Sequence, residues 1–481
     1  MDARAQNPQQ NADCTPFGKP AETLMARMLT WLGISCLCML VAACASLPDV
    51  RSLNTSLSSD GRPTINNSKG TSVSRQRVAS LLPQRLRNSA VDLKALAALE
   101  EAATGSPLIA GNKVTLLFDG PQTMTAMLAA IGAATNHINL ETYIFQQDEV
   151  GVKFAELLMA KQQAGVQVNI IYDSIGSLKT PPDFFKKMRA TGIKITEFNP
   201  VSPLKSFRFL RLNNRDHRKI LVVDGKIGFT GGVNIAADYS NSSIFRSRNR
   251  GAEPGWRDTH LQIEGPAVAS LQWHFLDTWA SQNKDDLADR QYFPKLTEVG
   301  DKVVRVIASE PNGDYEIYKS YVLALQEAKK TVHLTAAYFA PDVQLMEALL
   351  AAARRGVSVK VVFPSVSDAG LIFYAGQSYY ASLLEAGVKI FQLQSSVLHA
   401  KTAVIDSVWS TVGSANLDVR SFLHNSEINI VVLGEGFGAS MESAFQEDLK
   451  NSIEITKEEW NQRPPSQRVK EWAARGLEYW L

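Results

Sequence analysis

Beyond residue 44 the 481-residue chain has no cysteine, since Cys14, Cys36, Cys38 and Cys44 all lie in its leader. The body that follows can therefore hold neither an internal disulfide nor a thiolate metal site. An excess of one charge is also missing. Lys and Arg number 50 against 48 Asp and Glu, a near-balance that speaks against a dedicated nucleic-acid binder, so no nucleic-acid partner is expected. The acidic residues Asp314, Glu316, Asp342 and Glu347 fall in no metal-ligand spacing, and neither a metal nor a cofactor is expected. Gly231-Gly232 is followed by no Lys-Ser/Thr, which excludes a nucleotide-phosphate loop. The apolar run 28–43 is too short, and too poor in flanking polar anchors, to read as a spanning helix.

What the chain does have is one polar octet written twice. His217, Lys219 and Asp224 recur at the same spacing as His399, Lys401 and Asp406. Each copy is followed by a small-residue turn with an asparagine, Gly231-Gly232-Val233-Asn234 and Gly413-Ser414-Ala415-Asn416. The segments starting at His217 and His399 are short, β-branched and closed by turn residues, as buried strands are. Side chains alternate along a strand, so the His and Lys of each copy share a face. Asp224-Gly225 and Asp406-Ser407 read as hairpin turns into a second strand.

Two imidazole–ammonium pairs facing each other would make a pocket suited to an anionic phosphodiester. One His attacks phosphorus and the other protonates the leaving oxygen. The lysines and asparagines hold the phosphoryl oxygens while charge moves. A lone histidine is more often a satisfied core group; the doubled set argues otherwise. His137, His260, His274, His333 and His424 have no repeated partner and read as ordinary.

The paired octets with their asparagine turns resemble the phospholipase D superfamily, and within it the bacterial cardiolipin synthases. Matching stretches include Gly111-Asn112, Glu141 to Phe145, Tyr172 to Ser177, Ser378 to Tyr380 with Leu384 to Gly387, and Gly413 to Glu427; the resemblance spans roughly residues 106 to 450. It implies a catalytic set of His217, Lys219, Asp224, His399, Lys401 and Asp406. The two aspartates, placed at turns, read as holding each hairpin and its lysine. Asn234, Ser414 and Asn416 are expected to bind or orient the phosphate. Asp258 and Glu427 are expected to hydrogen-bond the imidazoles and fix their tautomers, with a Glu427–Arg420 ion pair as the alternative. The implied activity is phosphatidyl transfer through a phosphohistidine, making cardiolipin from phosphatidylglycerol or with another phospholipid donor. A phospholipase D-type hydrolase, and a non-catalytic lipid-binding lipoprotein, are the competing readings. A nuclease is open by fold alone.

The repeat runs wider than the octets. Val114 to Asp173 and Val304 to Pro364 share one plan of strand, helix, strand, helix, strand, and Ala164-Gly165-Val166 matches Arg355-Gly356-Val357 as a helix stop before a strand. The expected fold class is α/β: two pseudo-symmetric phospholipase D-like domains, 106–297 and 298–481, each a mixed sheet flanked by helices, with the active site at their interface. Residues 49–75, rich in Ser, Asn and Thr, read as a disordered tether, and 86–103 as a helix. Together 44–105 form tether and amino-terminal helix.

The leader ends Val41-Ala42-Ala43-Cys44, which resembles a bacterial lipoprotein cleavage box, with Met25 as a better start than Met1. The resemblance implies a signal peptide over 1–43 and a membrane-associated lipoprotein facing the periplasm, sorted to the outer membrane because Ala45 follows the cysteine; an inner-membrane anchor is the alternative. The basic-aromatic run Lys205 to Arg211 before the first octet reads as a solvated loop or as a contact for anionic headgroups and a membrane surface. The tail with Trp460, Trp472, Tyr479 and Trp480 reads as packed on the second domain or resting at a membrane interface. Metabolic labelling with a fatty acid should mark the wild type and leave Cys44→Ser unmarked; equal labelling of both would return the leader to an ordinary anchor.

Overall fold

In the computed structural model every strand of the repeat's inner part is buried on both faces, the condition under which strands lose polar–apolar alternation and become runs of Val, Ile and Leu. Residues 46–50, 63–74, 76–78, 92–201, 213–240, 255–282 and 287–477 are described. Helix α1 (Leu93–Thr104) leads into β1 (Leu108–Leu117), α2 (Gly120–Ala133), β2 (His137–Thr142), α3 (Glu149–Gln163), β3 (Gln167–Asp173), α4 (Pro182–Ala190), β4 (Lys194–Phe198), β5 (Ile220–Val223), β6 (Ile227–Gly231), β7 (His260–Glu264) and α5 (Val268–Gln282). The second half follows as β8 (Lys302–Ser309), α6 (Glu316–Glu327), β9 (Thr331–Ala336), α7 (Val343–Arg354), β10 (Ser358–Pro364), α8 (Gly370–Gln377), α9 (Tyr380–Glu385), β11 (Lys389–Leu393), β12 (Lys401–Ile405), β13 (Trp409–Gly413), α10 (Val419–Leu423), β14 (Asn425–Leu433) and α11 (Glu435–Lys450). An added strand, β15 (Ser452–Ile455), and helices α12 (Lys457–Asn461) and α13 (Pro465–Arg475) complete it.

The two halves repeat one strand order. The first runs β4-β3-β2-β5-β6-β7-β1, with the first three strands parallel and the rest antiparallel. The second runs β11-β10-β9-β12-β13-β14-β8 with the same polarity. Registers correspond as well: Leu140 lies opposite Ile170 and Leu221, and Leu334 opposite Val361 and Ala403. Gly165 and Gly356 stop α3 and α7 at φ 91° and 90°, a left-handed turn that lets the chain reverse into the next strand.

The halves are not separate bodies, because β1 belongs to both sheets. Its Lys113–Leu117 stretch pairs with β7, and Ile109 and Asn112 pair with β8. The facing sheets share a core of Ile220, Val222, Leu261 and Ile263 against Val304, Val306, Ile428 and Ile430. Leu47–Leu481 is one compact unit.

The tether reading of 49–75 fails at Val50 and over part of 63–74, while 51–62 and 75 lie outside the described residues. Val50 and Ile65 are fully buried, and Ile65–Asn66 pairs in parallel with Leu108–Ile109. Burying one such aliphatic contributes about 1.5–3 kcal/mol, which offsets the ordering of the few residues around it. The expected helix over 86–103 is α1, starting at Leu93; residues 79–91 lie outside the described ones. Its Glu100 accepts from Ser320 and from the Trp409 indole in the second half's core. Residues 1–45, the basic run 205–211, Tyr479 and Trp480 also lie outside. Trp460 packs on Tyr380 with ring centroids 4.8 Å apart, while Trp472 is exposed. Among the described residues no helix is long and apolar enough to cross a membrane.

The octet aspartates sit at the hairpin turns, Asp224 at φ 53° and Asp406 at φ 50°. Asp224 accepts the backbone N–H groups of Thr135, Asn136 and His137 at 2.9, 2.8 and 3.0 Å. Asp406 accepts those of Lys329, Lys330 and Thr331 at 2.8, 2.6 and 2.7 Å. Each clamps the start of the neighbouring parallel strand, β2 or β9. Asp406→Ala should lower stability by about 2–3 kcal/mol, the scale of hydrogen bonds to a charged acceptor, read as a fall in Tm with the kcat of the folded fraction near wild type. A kcat loss as deep as that of a histidine variant would make it part of the chemistry.

Candidate active site

The two histidines meet because a short ladder from each half crosses into the other. Arg215–Asp216 pairs in parallel with Asn425–Ser426 at the start of β14, and the His217 N–H donates to Ser426 O at 2.9 Å. Val397–Leu398 pairs in parallel with Trp256–Arg257, and the His399 N–H donates to Arg257 O at 2.8 Å. Each ladder ends one residue short of an acid. His217 Nδ1 is 3.0 Å from both Glu427 carboxylate oxygens, and His399 Nδ1 is 2.6 Å from Asp258 Oδ2. The acid of each half thus serves the imidazole of the other. Each acid is thus paired with an imidazole, and Glu427 also accepts from Ser414.

With Nδ1–H given to a carboxylate, the Nε2 lone pair of each neutral imidazole is left for the cavity. Lys401 Nζ lies 3.0 Å from His399 Nδ1, but that nitrogen's proton belongs to the closer, charged Asp258. Both imidazoles border one cavity of about 470 Å³. Tyr143, Tyr338, Trp256 and Asn234 help line it. Tyr143 meets the His217 ring edge-on at 5.0 Å, and Tyr338 meets that of His399 at 6.2 Å. Trp256 lies 4.9 Å from the His399 ring.

The lysines lie deeper than the sequence suggested. Lys219 Nζ donates to His217 O at 2.6 Å, and Lys401 Nζ donates to His399 O. Burial pulls the Lys219 ammonium down to about 7, partly offset by Glu427. Lys401 is lowered for the same first reason, against Asp258 and Glu427. Burial also lowers both imidazoles, His399 to about 4 with Lys401 adding to the effect. Asp258 and Glu427 remain below the usual carboxylate values: their cationic and imidazole neighbours outweigh burial. Neutral imidazoles therefore lie between ionised acids, and an entering anion would supply the negative charge that raises the imidazole and lysine values.

The asparagine turns divide their work. Asn234 takes the Ile144 N–H at 3.1 Å on Oδ1 and donates to Tyr239 OH at 2.7 Å, fixing its amide at the cavity edge. Asn416 also lines the cavity, and its buried Oδ1 has no hydrogen-bond partner. Ser414 sits behind, donating to Glu427 Oε2 at 2.5 Å and taking the Ile428 N–H at 3.0 Å; it orients the acid rather than facing the cavity. Its counterpart Gly232 is pressed against Asp258, where an added Cβ would stand 2.0 Å from Oδ1. Asp224 and Asp406 lie at the far strand ends, outside the cavity lining. The sequence reading gave Tyr143, Tyr338, Tyr239 and Trp256 no role, although Tyr143 and Tyr338 close the two matching strands of the repeat. Among the described residues no group of three His, Cys, Asp or Glu is gathered as a metal would need.

Asp258→Asn and Glu427→Gln keep the shape of each acid but reverse its preference for the Nδ1–H tautomer. Each should lower kcat by about 10⁴, the scale seen when a triad acid is amidated, with unchanged circular dichroism. A loss below tenfold in either would remove that acid from the machinery.

Comparison with known proteins places this geometry. Residues 127–243 and 321–449 match the family described as "Cardiolipin synthase, PLD-like domain". A cardiolipin synthase of Geobacillus kaustophilus is 35% identical over 77% of this chain and 73% of its own length. One from Listeria innocua is 36% identical over 78% and 76%. The phosphatidylserine synthase structure from Haemophilus influenzae superposes with a TM-score of 0.59 at 13% identity, covering 79% of this chain and 99% of that one, a likeness of fold. The chain belongs to the cardiolipin synthase family of phospholipase D-like proteins.

Proposed function

We propose that the protein is a phosphatidyltransferase that makes cardiolipin and glycerol from two molecules of phosphatidylglycerol. The observation that carries this reading is the crossed pair of acid-held imidazoles on one cavity. His217 Nε2 attacks the phosphorus of the first lipid, and the bond from phosphorus to the headgroup glycerol oxygen breaks. His399, as imidazolium, gives that oxygen its Nε2 proton, and glycerol leaves. The hydroxyl of a second phosphatidylglycerol then passes its proton to His399 and attacks phosphorus. The N–P bond breaks and both imidazoles are restored. Glu427 stabilises charge on His217, and Asp258 the imidazolium of His399. The anionic diester raises the His399 value, which supplies the imidazolium the first step requires. Asn234 and Asn416 lie where phosphoryl oxygens enter. Lys219 and Lys401 supply positive charge from beneath.

Water in place of the second lipid would make the same site a hydrolase. The aromatic and aliphatic lining of the cavity, with Trp256, Tyr338, Leu371 and Ile372, favours a lipid acceptor. A fatty-acylated Cys44 would hold the enzyme at a periplasm-facing membrane.

The test is product analysis from phosphatidylglycerol vesicles by mass spectrometry, with acid-labile, base-stable phosphopeptides mapped after a quench. Cardiolipin should form with one glycerol per turnover, His217→Ala and His399→Ala should each abolish it, and phosphate should be trapped on a His217 peptide. Phosphatidic acid as the sole product, even with abundant lipid acceptor, would make the enzyme a hydrolase. A phosphopeptide containing His399 would exchange the two roles.

A further inference from the structure

Helix α13 is turned inside out. A surface helix normally gives its apolar stripe to the core and its charges to water. Here Glu471 and Ala474 are buried, whereas Val469 and Trp472 are 63% and 79% exposed. The inward anchors are polar: Arg463 holds Glu471 through Nε at 2.9 Å, and Gln467 donates to Gln377 of α8 at 3.0 Å. On the outward side Val469 and Trp472, three residues apart, form one apolar strip. Arg468, Lys470 and Arg475 flank it, and Glu471 is the only acid in the helix.

Helix α13 packs on α8, whose Gly370, Leu371 and Ile372 line the active-site cavity. Lys470 Nζ lies 5.0 Å from the centre of the Tyr374 ring on α8, and Arg475 stacks on Tyr379 at 4.9 Å. Tyr374 is one helical turn from Leu371, which lines the cavity and is 52% exposed, as is Val366 on the loop before α8. Exposed Leu371 and Val366 beside the cavity and exposed Val469 and Trp472 on α13 are thus joined through Tyr374 and Tyr379, on which Lys470 and Arg475 lie.

We propose that the α8–α13 surface docks on an anionic phospholipid bilayer, with Trp472, Val469 and Leu371 entering the headgroup–acyl boundary and Arg468, Lys470 and Arg475 reaching the lipid phosphates. The inference rests on the phosphatidyltransferase reading for its substrate. It stands on the inverted face, the matching charge and the packing of α13 on the cavity-lining helix α8. An 11-residue helix is too short to span a bilayer and lies in its plane. A tryptophan seated at that depth keeps its ring in the boundary and its N–H wet. Docking here brings the cavity mouth to the headgroups, so that lipid need not leave the bilayer to reach His217 and His399.

The test uses the full chain on vesicles of phosphatidylglycerol and phosphatidylcholine, one set carrying brominated acyl chains. Brominated chains should quench a component of tryptophan emission that disappears in Trp472→Phe. The pair Val469→Ser with Trp472→Ser should lower turnover of vesicle phosphatidylglycerol by about tenfold or more, one 1.4 kcal/mol step. Turnover of monomeric short-chain phosphatidylglycerol should be unchanged. Equal quenching in wild type and Trp472→Phe, or unchanged vesicle turnover in the serine pair, would overturn the proposal. A change of oligomeric state in the serine pair with vesicle turnover intact would assign the face to a second copy of the chain and overturn it equally. Failure of the wild type to turn over the monomeric lipid would count against the phosphatidyltransferase reading, while the quenching result would still decide the docking.

Discussion

The site depends on two short parallel ladders, Arg215–Asp216 with Asn425–Ser426 and Val397–Leu398 with Trp256–Arg257. Each ends beside a histidine of one half and an acid of the other. Backbone hydrogen bonds therefore set the distance from imidazole to carboxylate, and no flexible loop is asked to hold it. Moving one half relative to the other would break both pairs together, since each pair spans the junction. The shared strand β1 and the core around Val222, Val304 and Ile430 resist that motion.

Burial makes the arrangement reactive. Two acids, two lysines and two imidazoles are packed into a region where charged groups are costly unless paired. The carboxylates stay ionised, the imidazoles stay neutral, and Lys219 is drawn down to about 7. A bound phosphodiester monoanion adds negative charge to a cluster containing both ammonium groups and two titratable imidazoles. The site is thereby arranged for an anion rather than for the empty state, which is what transition-state charge stabilisation requires.

Much of this was legible in the chain. The alternation of strand and helix in both halves follows from the matched stretches around Leu140 and Leu334 and the Gly165 and Gly356 stops, because continuous apolar runs and helix-stopping glycines are local signals. The octets were legible because they recur, and the acids Asp258 and Glu427 because the family resemblance implies an acid after each octet. The crossing of the acids was not, since it depends on which strand pairs with which across a long sequence separation. Nor was the role of Ser414, whose hydroxyl serves Glu427 from behind. Val50 and Ile65 were hidden by polar neighbours, and only their burial shows that these two residues belong to the core. Trp460 and Trp472 have the same residue type and opposite fates, decided by what α12 and α13 pack against.

The crossed pairing itself is most directly tested by following the imidazole resonances of His217 and His399 with pH, using protein labelled with ¹⁵N at histidine, in the wild type and in Asp258→Asn. Both imidazoles should titrate below the ordinary value of about 6.5. Asp258 raises the His399 value, so its loss should move His399 still lower and leave His217 nearly where it was. A downward shift of His217 with His399 unmoved would contradict the account, because it would pair Asp258 with the histidine of its own half.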